Sequence, residues 1–188
     1  STRSVVAARH AKRTTLMDVA VKAVVKPKAE ARTLPVIKKV GVVGAGQMGS
    51  GIAHVVALGG FDVSLYDIKK EALDKSLKTI EQNMGRQASK GTIKEADVKP
   101  ALKRISPVTS AEGLRDCDLI IEAATEDEAI KRKIFQELCP KLKKGAFLAT
   151  NTSSISITRL AASTDRPEHF IGMHFMNPVP RMELVELI

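Results

Sequence analysis

The stretch VIKKVGVVGAGQMGSGIAHVVALGG, residues 36–60, leaves this chain the least choice of fold. An apolar, β-branched run reads as a buried strand, and it ends in glycines. Apolar residues at helical spacing (Ile52, Val55, Val56) follow at once and stop at Gly59–Gly60. The joint between strand and helix is Gly44-Ala45-Gly46-Gln47-Met48-Gly49, a G-x-G-x-x-G turn. Alone that pattern is common. Between a strand and a helix, inside a βαβ unit of about thirty residues, it is the dinucleotide-binding fingerprint. Gly44 permits the tight turn, Gly46 lets the backbone approach a pyrophosphate, and Gly49 packs helix on strand. The free N–H groups of the helix start, including those at Gln47 and Met48, then face the phosphates.

FDVSLYD reads as the second strand, and its last residue, Asp67, lies 18 residues beyond Gly49. A carboxylate there accepts hydrogen bonds from both ribose hydroxyls and repels a 2′-phosphate, which favours NAD over NADP. Lys69 and Lys70 are the next charged residues and soften that preference. The next segment carries Leu73, Leu77, Ile80 and Met84 on one helical face, which is packing. A polar helix near 94–103 follows, and then RISPVTS, CDLIIEAA, GAFLATNTS, HFIGMHF and MELVELI as strands. DEAIKRKIFQELC and SITRLAAS intervene as helices. Strands alternating with helices predict an α/β fold: a Rossmann-type, doubly wound, mostly parallel sheet with helices on both faces.

Charge divides the chain in two. Of the net +9, the first forty residues contribute +8, from ten Lys/Arg against Asp18 and Glu30, so the remainder is nearly neutral. We therefore read residues 1–35 as a basic arm and 36–188 as the dinucleotide-binding domain. The arm has no aromatic residue and no reader motif, which argues against nucleic acid. Its Arg-, Ser- and Ala-rich start resembles an organelle transit peptide, while Pro27, Pro35 and alternating charge suit a linker; both readings stand. No apolar run approaches the roughly 18–20 residues of a membrane span. Cys117 and Cys139 suit free thiols in a reducing compartment. Four scattered histidines and two cysteines show no metal-ligand spacing. His10, His54 and His169 lack an evident partner and read as structural.

His174, in GMHFMNPVP, differs because polar segments converge on its strand end. Ligands bind outside the carboxyl ends of strands in such sheets, and TNTSS, HFMNP and ELVELI all reach that edge. A hairpin through Pro178–Pro180 brings Glu186 beside His174. The carboxylate then fixes one imidazole nitrogen while the other faces substrate, as alcohol oxidation requires.

VGVVGAGQMGSGIA, IIEAATED, ATNTSSISI and RPEHFIGMHFMNPVPRMELVELI closely resemble the NAD-binding domain of the 3-hydroxyacyl-CoA dehydrogenases. That group includes the 3-hydroxybutyryl-CoA enzymes and domains fused within multifunctional fatty-acid oxidation proteins. The resemblance runs from about Lys38 to Ile188. It implies His174 as catalytic base, Glu186 as its orienting carboxylate, and Ser153 as the partner of the substrate's 3-oxygen. It also implies Asn177 beside the nicotinamide, Glu126 and Lys131 as cofactor contacts, and Asn83 and Lys90 toward coenzyme A. The cofactor implied is NAD, the substrate an acyl-CoA, and the compartment the cytoplasm or an organelle matrix, mitochondrial or peroxisomal.

Some of these residues have blander readings. Ser153 suits a helix cap before Ser156, and Glu126 with Lys131 suits a solvated helix-face pair. The family's C-terminal helical domain is not in this chain. Function is therefore expected to need that domain and a homodimer, or fusion to a hydratase-type domain. The rival expectations are a non-enzymatic, crystallin-like NAD-binding protein and another β-hydroxyacid dehydrogenase.

Overall fold

The computed structural model describes residues 35–188, so the basic arm, all but its last residue, lies outside the described residues together with His10. Seven strands form one sheet: β1 (Lys39–Val43), β2 (Asp62–Tyr66), β3 (Ile105–Val108), β4 (Leu119–Glu122), β5 (Phe147–Thr150), β6 (Phe170–Phe175) and β7 (Val185–Leu187). Their order is β3-β2-β1-β4-β5-β6-β7. The first six are parallel, and β7 returns antiparallel along β6. The helices are α1 (Gln47–Leu58), α2 (Lys70–Ser89), α3 (Glu95–Lys103), α4 (Glu128–Leu138) and α5 (Ile157–Ala161). This is the doubly wound, mostly parallel sheet expected from the strand–helix alternation. MELVELI is shorter than expected as a strand, because a 3-10 turn at Val179–Arg181 leads into it and pairing starts only at Val185.

The apolar strand runs follow from burial on both faces. Successive residues alternate between two cores. Val40, Val42, Ile121 and Ala149 join one core with Leu73, Ile80 and Met84 of α2. Ile120 and Leu148 join the other with Phe135 and Leu138 of α4. Phe135 meets Phe170 edge to face, with ring centroids 5.0 Å apart.

The strand order reverses between β1 and β4, and the glycine turn leaves β1 at that point. This places the turn where open α/β sheets form their ligand crevice.

Asp118, just before β4, fastens the sheet's opposite end. Its Oδ2 accepts the backbone N–H groups of Lys38 and Lys39, both at 2.8 Å, and Lys143 Nζ donates to Oδ1. The Lys143 bond leads these contacts in lowering the Asp118 pKa to about 2, against the pull of burial. A depressed carboxylate contributes stability that is complete above about pH 4 and lost as pH falls through about 2. Asp118→Ala should therefore destabilise the domain by about 1–2 kcal/mol at pH 7. The gap between the urea midpoints of the two proteins should narrow below about pH 4 and close only as pH falls through about 2; an unchanged gap would mean that the charge is not what holds the strand ends.

Candidate active site

At the glycine turn each key position is set by contact. Gly44 has φ +99°, which favours glycine, and a Cβ there would sit 2.7 Å from the Ala124 Cα. A Cβ on Gly49 would lie 1.7 Å from the Gly44 carbonyl oxygen, so only glycine lets α1 pack so close. Gly46 instead faces open space, with nothing within 4 Å of a Cβ position. Helix α1 begins without a side-chain cap and without an acidic residue in its first turn. Its positive end is left for an anion from outside the protein. These features fit the pyrophosphate of a dinucleotide.

Asp67 lies one residue past β2. Its Oδ2 accepts the Ala45 N–H at 2.8 Å and its Oδ1 the Lys69 N–H at 2.9 Å. The carboxylate is thus both a turn anchor and part of the wall of a cavity of about 1090 Å³. That cavity runs from the glycine turn along α2, and Lys69 and Asn83 also line it. Lys70 is paired with Asp74 at 2.7 Å. Lys90, the residue capping the end of α2, is exposed and does not line this cavity.

A second cavity of about 350 Å³ gathers His174, Ser153, Asn177, Glu126, Lys131, Asn151 and Met48. Asn177 borders both cavities and so marks their junction. Its Oδ1 accepts a hydrogen bond from Gln47 Nε2 at 3.1 Å. The peptide between Asn177 and Pro178 is cis.

The β6–β7 hairpin sets His174 directly opposite Glu186. Nδ1 lies 2.8 Å from Glu186 Oε2. An ionised carboxylate only accepts, so the proton resides on Nδ1 and Nε2 is left as a base. Asn151 steadies the same strand end, its Oδ1 accepting the Phe175 N–H at 2.8 Å.

Ser153 is not the helix cap; Ser156 caps α5. The Ser153 hydroxyl donates to Glu126 Oε1 at 3.1 Å and its backbone N–H donates to the same oxygen at 2.9 Å. Thr152 Oγ1 and both donors of Ser154 join them. Burial raises the Glu126 pKa, yet these hydrogen bonds outweigh it and hold the carboxyl at about 2. Glu126 stays ionised and organises the loop that presents Ser153.

The solvated Glu126–Lys131 pair is corrected. Lys131 is only 1% exposed, and its Nζ meets Glu122 Oε2 at 2.7 Å, with Glu126 Oε2 at 3.8 Å. Thr150 Oγ1 donates to that same Glu122 oxygen, and the Ala124 N–H to the other. The reading of the sequence passed over Glu122. Its signal was an acid closing the otherwise apolar run LIIE, at the strand end facing the crevice.

The other histidines also gain definition. His54 has a partner after all, Gln87 Oε1 at 2.8 Å. His169 stacks on Phe147. Among the described residues no group of His, Cys, Asp or Glu is placed to hold a metal ion. Nor is any described helix long and apolar enough to cross a membrane.

A glycine turn at the switch point, an acid after the second strand and a histidine–carboxylate pair on β6 and β7 together have the form of a dinucleotide-binding domain. The family model for the 3-hydroxyacyl-CoA dehydrogenase NAD-binding domain matches residues 39–188, and the chain belongs to that family. It is 61% identical over 153 residues to a 3-hydroxybutyryl-CoA dehydrogenase of Bradyrhizobium diazoefficiens, covering 81% of this chain and 52% of that protein. The crystal structure of (S)-3-hydroxybutyryl-CoA dehydrogenase PaaH1 from Ralstonia eutropha superposes with a TM-score of 0.78 at 47% identity. That match covers 81% of this chain and 54% of the other. A fatty acid oxidation complex subunit alpha of Psychrobacter cryohalolentis is 41% identical over 152 residues, covering 81% of this chain and 21% of that protein. The chain thus spans about half the length of the 3-hydroxybutyryl-CoA dehydrogenases it matches.

Proposed function

We propose that this chain is the NAD-binding and proton-transfer half of an (S)-3-hydroxyacyl-CoA dehydrogenase, which interconverts a 3-hydroxyacyl-CoA and its 3-ketoacyl-CoA. The observation that carries the reading is the His174–Glu186 pair, with its free Nε2 in the cavity that Asn177 joins to the glycine turn. In the oxidative direction the substrate's C3 loses a hydride and its hydroxyl a proton. NAD, when bound, supplies the hydride acceptor. His174 Nε2 takes the hydroxyl proton, and Glu186 stabilises the imidazolium that results. Ser153, presented by Glu126, orients the 3-oxygen. Gly44, Gly46, Gln47, Met48 and Gly49 seat the cofactor's pyrophosphate, and Asp67 its ribose.

Lys131 and Glu126 support the nicotinamide pocket, with Asn177 at its entrance. Asn83 and Lys90 are assigned to coenzyme A, Asn83 with the better position because it borders the large cavity. The chain acts with a further helical domain and a second copy of itself, or fused to a hydratase-type domain. Cys117 and Cys139, both buried and free, suit a reducing cytoplasm or organelle matrix. Retention of an oriented base favours catalysis over a purely structural, crystallin-like role.

The cofactor half is tested by titrating the chain with NADH. Micromolar binding is expected, abolished by Asp67→Arg, which sets a cation in place of the ribose acceptor. Asp67→Asn keeps an acceptor for one backbone N–H and should weaken binding by only about tenfold. Equal NADH affinity in the wild-type chain and Asp67→Arg would sink the assignment.

A further inference from the structure

Residues 47, 51 and 54 share one face of α1, and the turn after β6 meets that face at three heights. At the first, Gln47 Nε2 donates to Asn177 Oδ1. At the second, Gly51 leaves room for Val179: a Cβ at Gly51 would stand 2.8 Å from the Val179 Cβ. At the third the contact is relayed, from His54 through Gln87 of α2 to the carbonyl oxygen of Pro180.

The directions of the relay are fixed by chemistry. A backbone carbonyl only accepts, so Gln87 must turn its Nε2 toward Pro180, at 3.0 Å. Its Oε1 then faces His54, at 2.8 Å, and His54 Nε2 must carry the donated hydrogen. His54 Nδ1 is buried without a partner. Burial pulls the imidazole below its ordinary pKa and outweighs the Gln87 bond, which raises it; the net direction agrees with a neutral ring. His54 is 1% exposed, as buried as Ile52, Ala53 and Ala57 of the same helix, and an alkyl side chain there would leave no orphaned nitrogen. The retained bond to Gln87 is what distinguishes histidine here.

We propose that His54 is a positioning residue for the nicotinamide end of the site: through Gln87 it fastens the turn 178–181, and with it Asn177, to helix α1. The inference rests on the NAD assignment above. Asn177 sits at the junction of the two cavities and immediately precedes this turn. The adenine end is assigned to the glycine turn and Asp67, to which no hydrogen bond of the relay leads. The latch therefore acts on one half of the cofactor and not on the other.

The test compares NADH with ADP-ribose, which lacks the nicotinamide, by calorimetry on the full chain. His54→Leu and Gln87→Leu cut the relay at different links. Each should weaken NADH by about five- to tenfold, as loss of a buried hydrogen bond implies. ADP-ribose should stay within about twofold of wild type. His54→Gln places an amide N–H toward Gln87 and should restore NADH affinity. Equal weakening of both ligands, or no change in NADH for a folded Gln87→Leu, overturns the proposal. Failure of the wild-type chain to bind either ligand removes the cofactor assignment, and the latch with it.

Discussion

Replacing Lys131 with methionine is expected to cost the domain about 3–5 kcal/mol, because it leaves a charge inside the protein without its partner. Glu122 is fully buried, and Lys131 Nζ is the cation on its Oε2. Thr150 Oγ1 and the Ala124 N–H remain as hydrogen bonds after the substitution, but neither neutralises the carboxylate. Methionine matches the lysine stem well enough that lost packing contributes little. Chemical denaturation separates the two sources of loss. Adding Glu122→Gln to Lys131→Met should recover most of the deficit, since the amide keeps the shape and discards the charge. A single variant within about 1 kcal/mol of wild type would mean that the pair is dispensable.

His174→Ala should lower acetoacetyl-CoA-dependent oxidation of NADH by about a hundredfold to ten-thousandfold, the usual worth of a positioned acid–base group. NADH affinity should stay close to wild type. Glu186→Gln should approach the same loss by another route. A glutamine amide can donate to Nδ1, which moves the ring proton to Nε2 and closes the site where the hydroxyl proton must go. Assays are to be made on the chain alone and on a protein that carries the proposed further helical domain. Full activity in His174→Ala would remove the histidine from the chemistry.

The architecture was readable because a parallel sheet covered on both faces writes itself as apolar runs. VGVV, LIIE and FLAT are such runs, and the helices between them carry the 3.6 period. The His174–Glu186 contact was also legible, since a proline-rich turn separates two short strand-like segments and period-two alternation sets them face to face. Glu122 escaped notice because an acid is ordinarily a surface residue, and only the central place of β4 in the sheet buries this one. Lys131 looked like an ordinary charge on a helix face for the same reason. Its burial depends on how α4 lies over the sheet, which no local pattern contains. Gln87 lies 33 residues from His54, and the meeting of α1 with α2 that joins them is decided by packing alone.

Asp67 holds Ala45 with one oxygen and Lys69 with the other. A protein engineer seeking to convert this domain to the phosphorylated cofactor would begin at that residue, and would be removing a fastener together with the proposed discriminator. The conversion has no neutral first step. Any route must rebuild the start of the loop before, or together with, the change of charge.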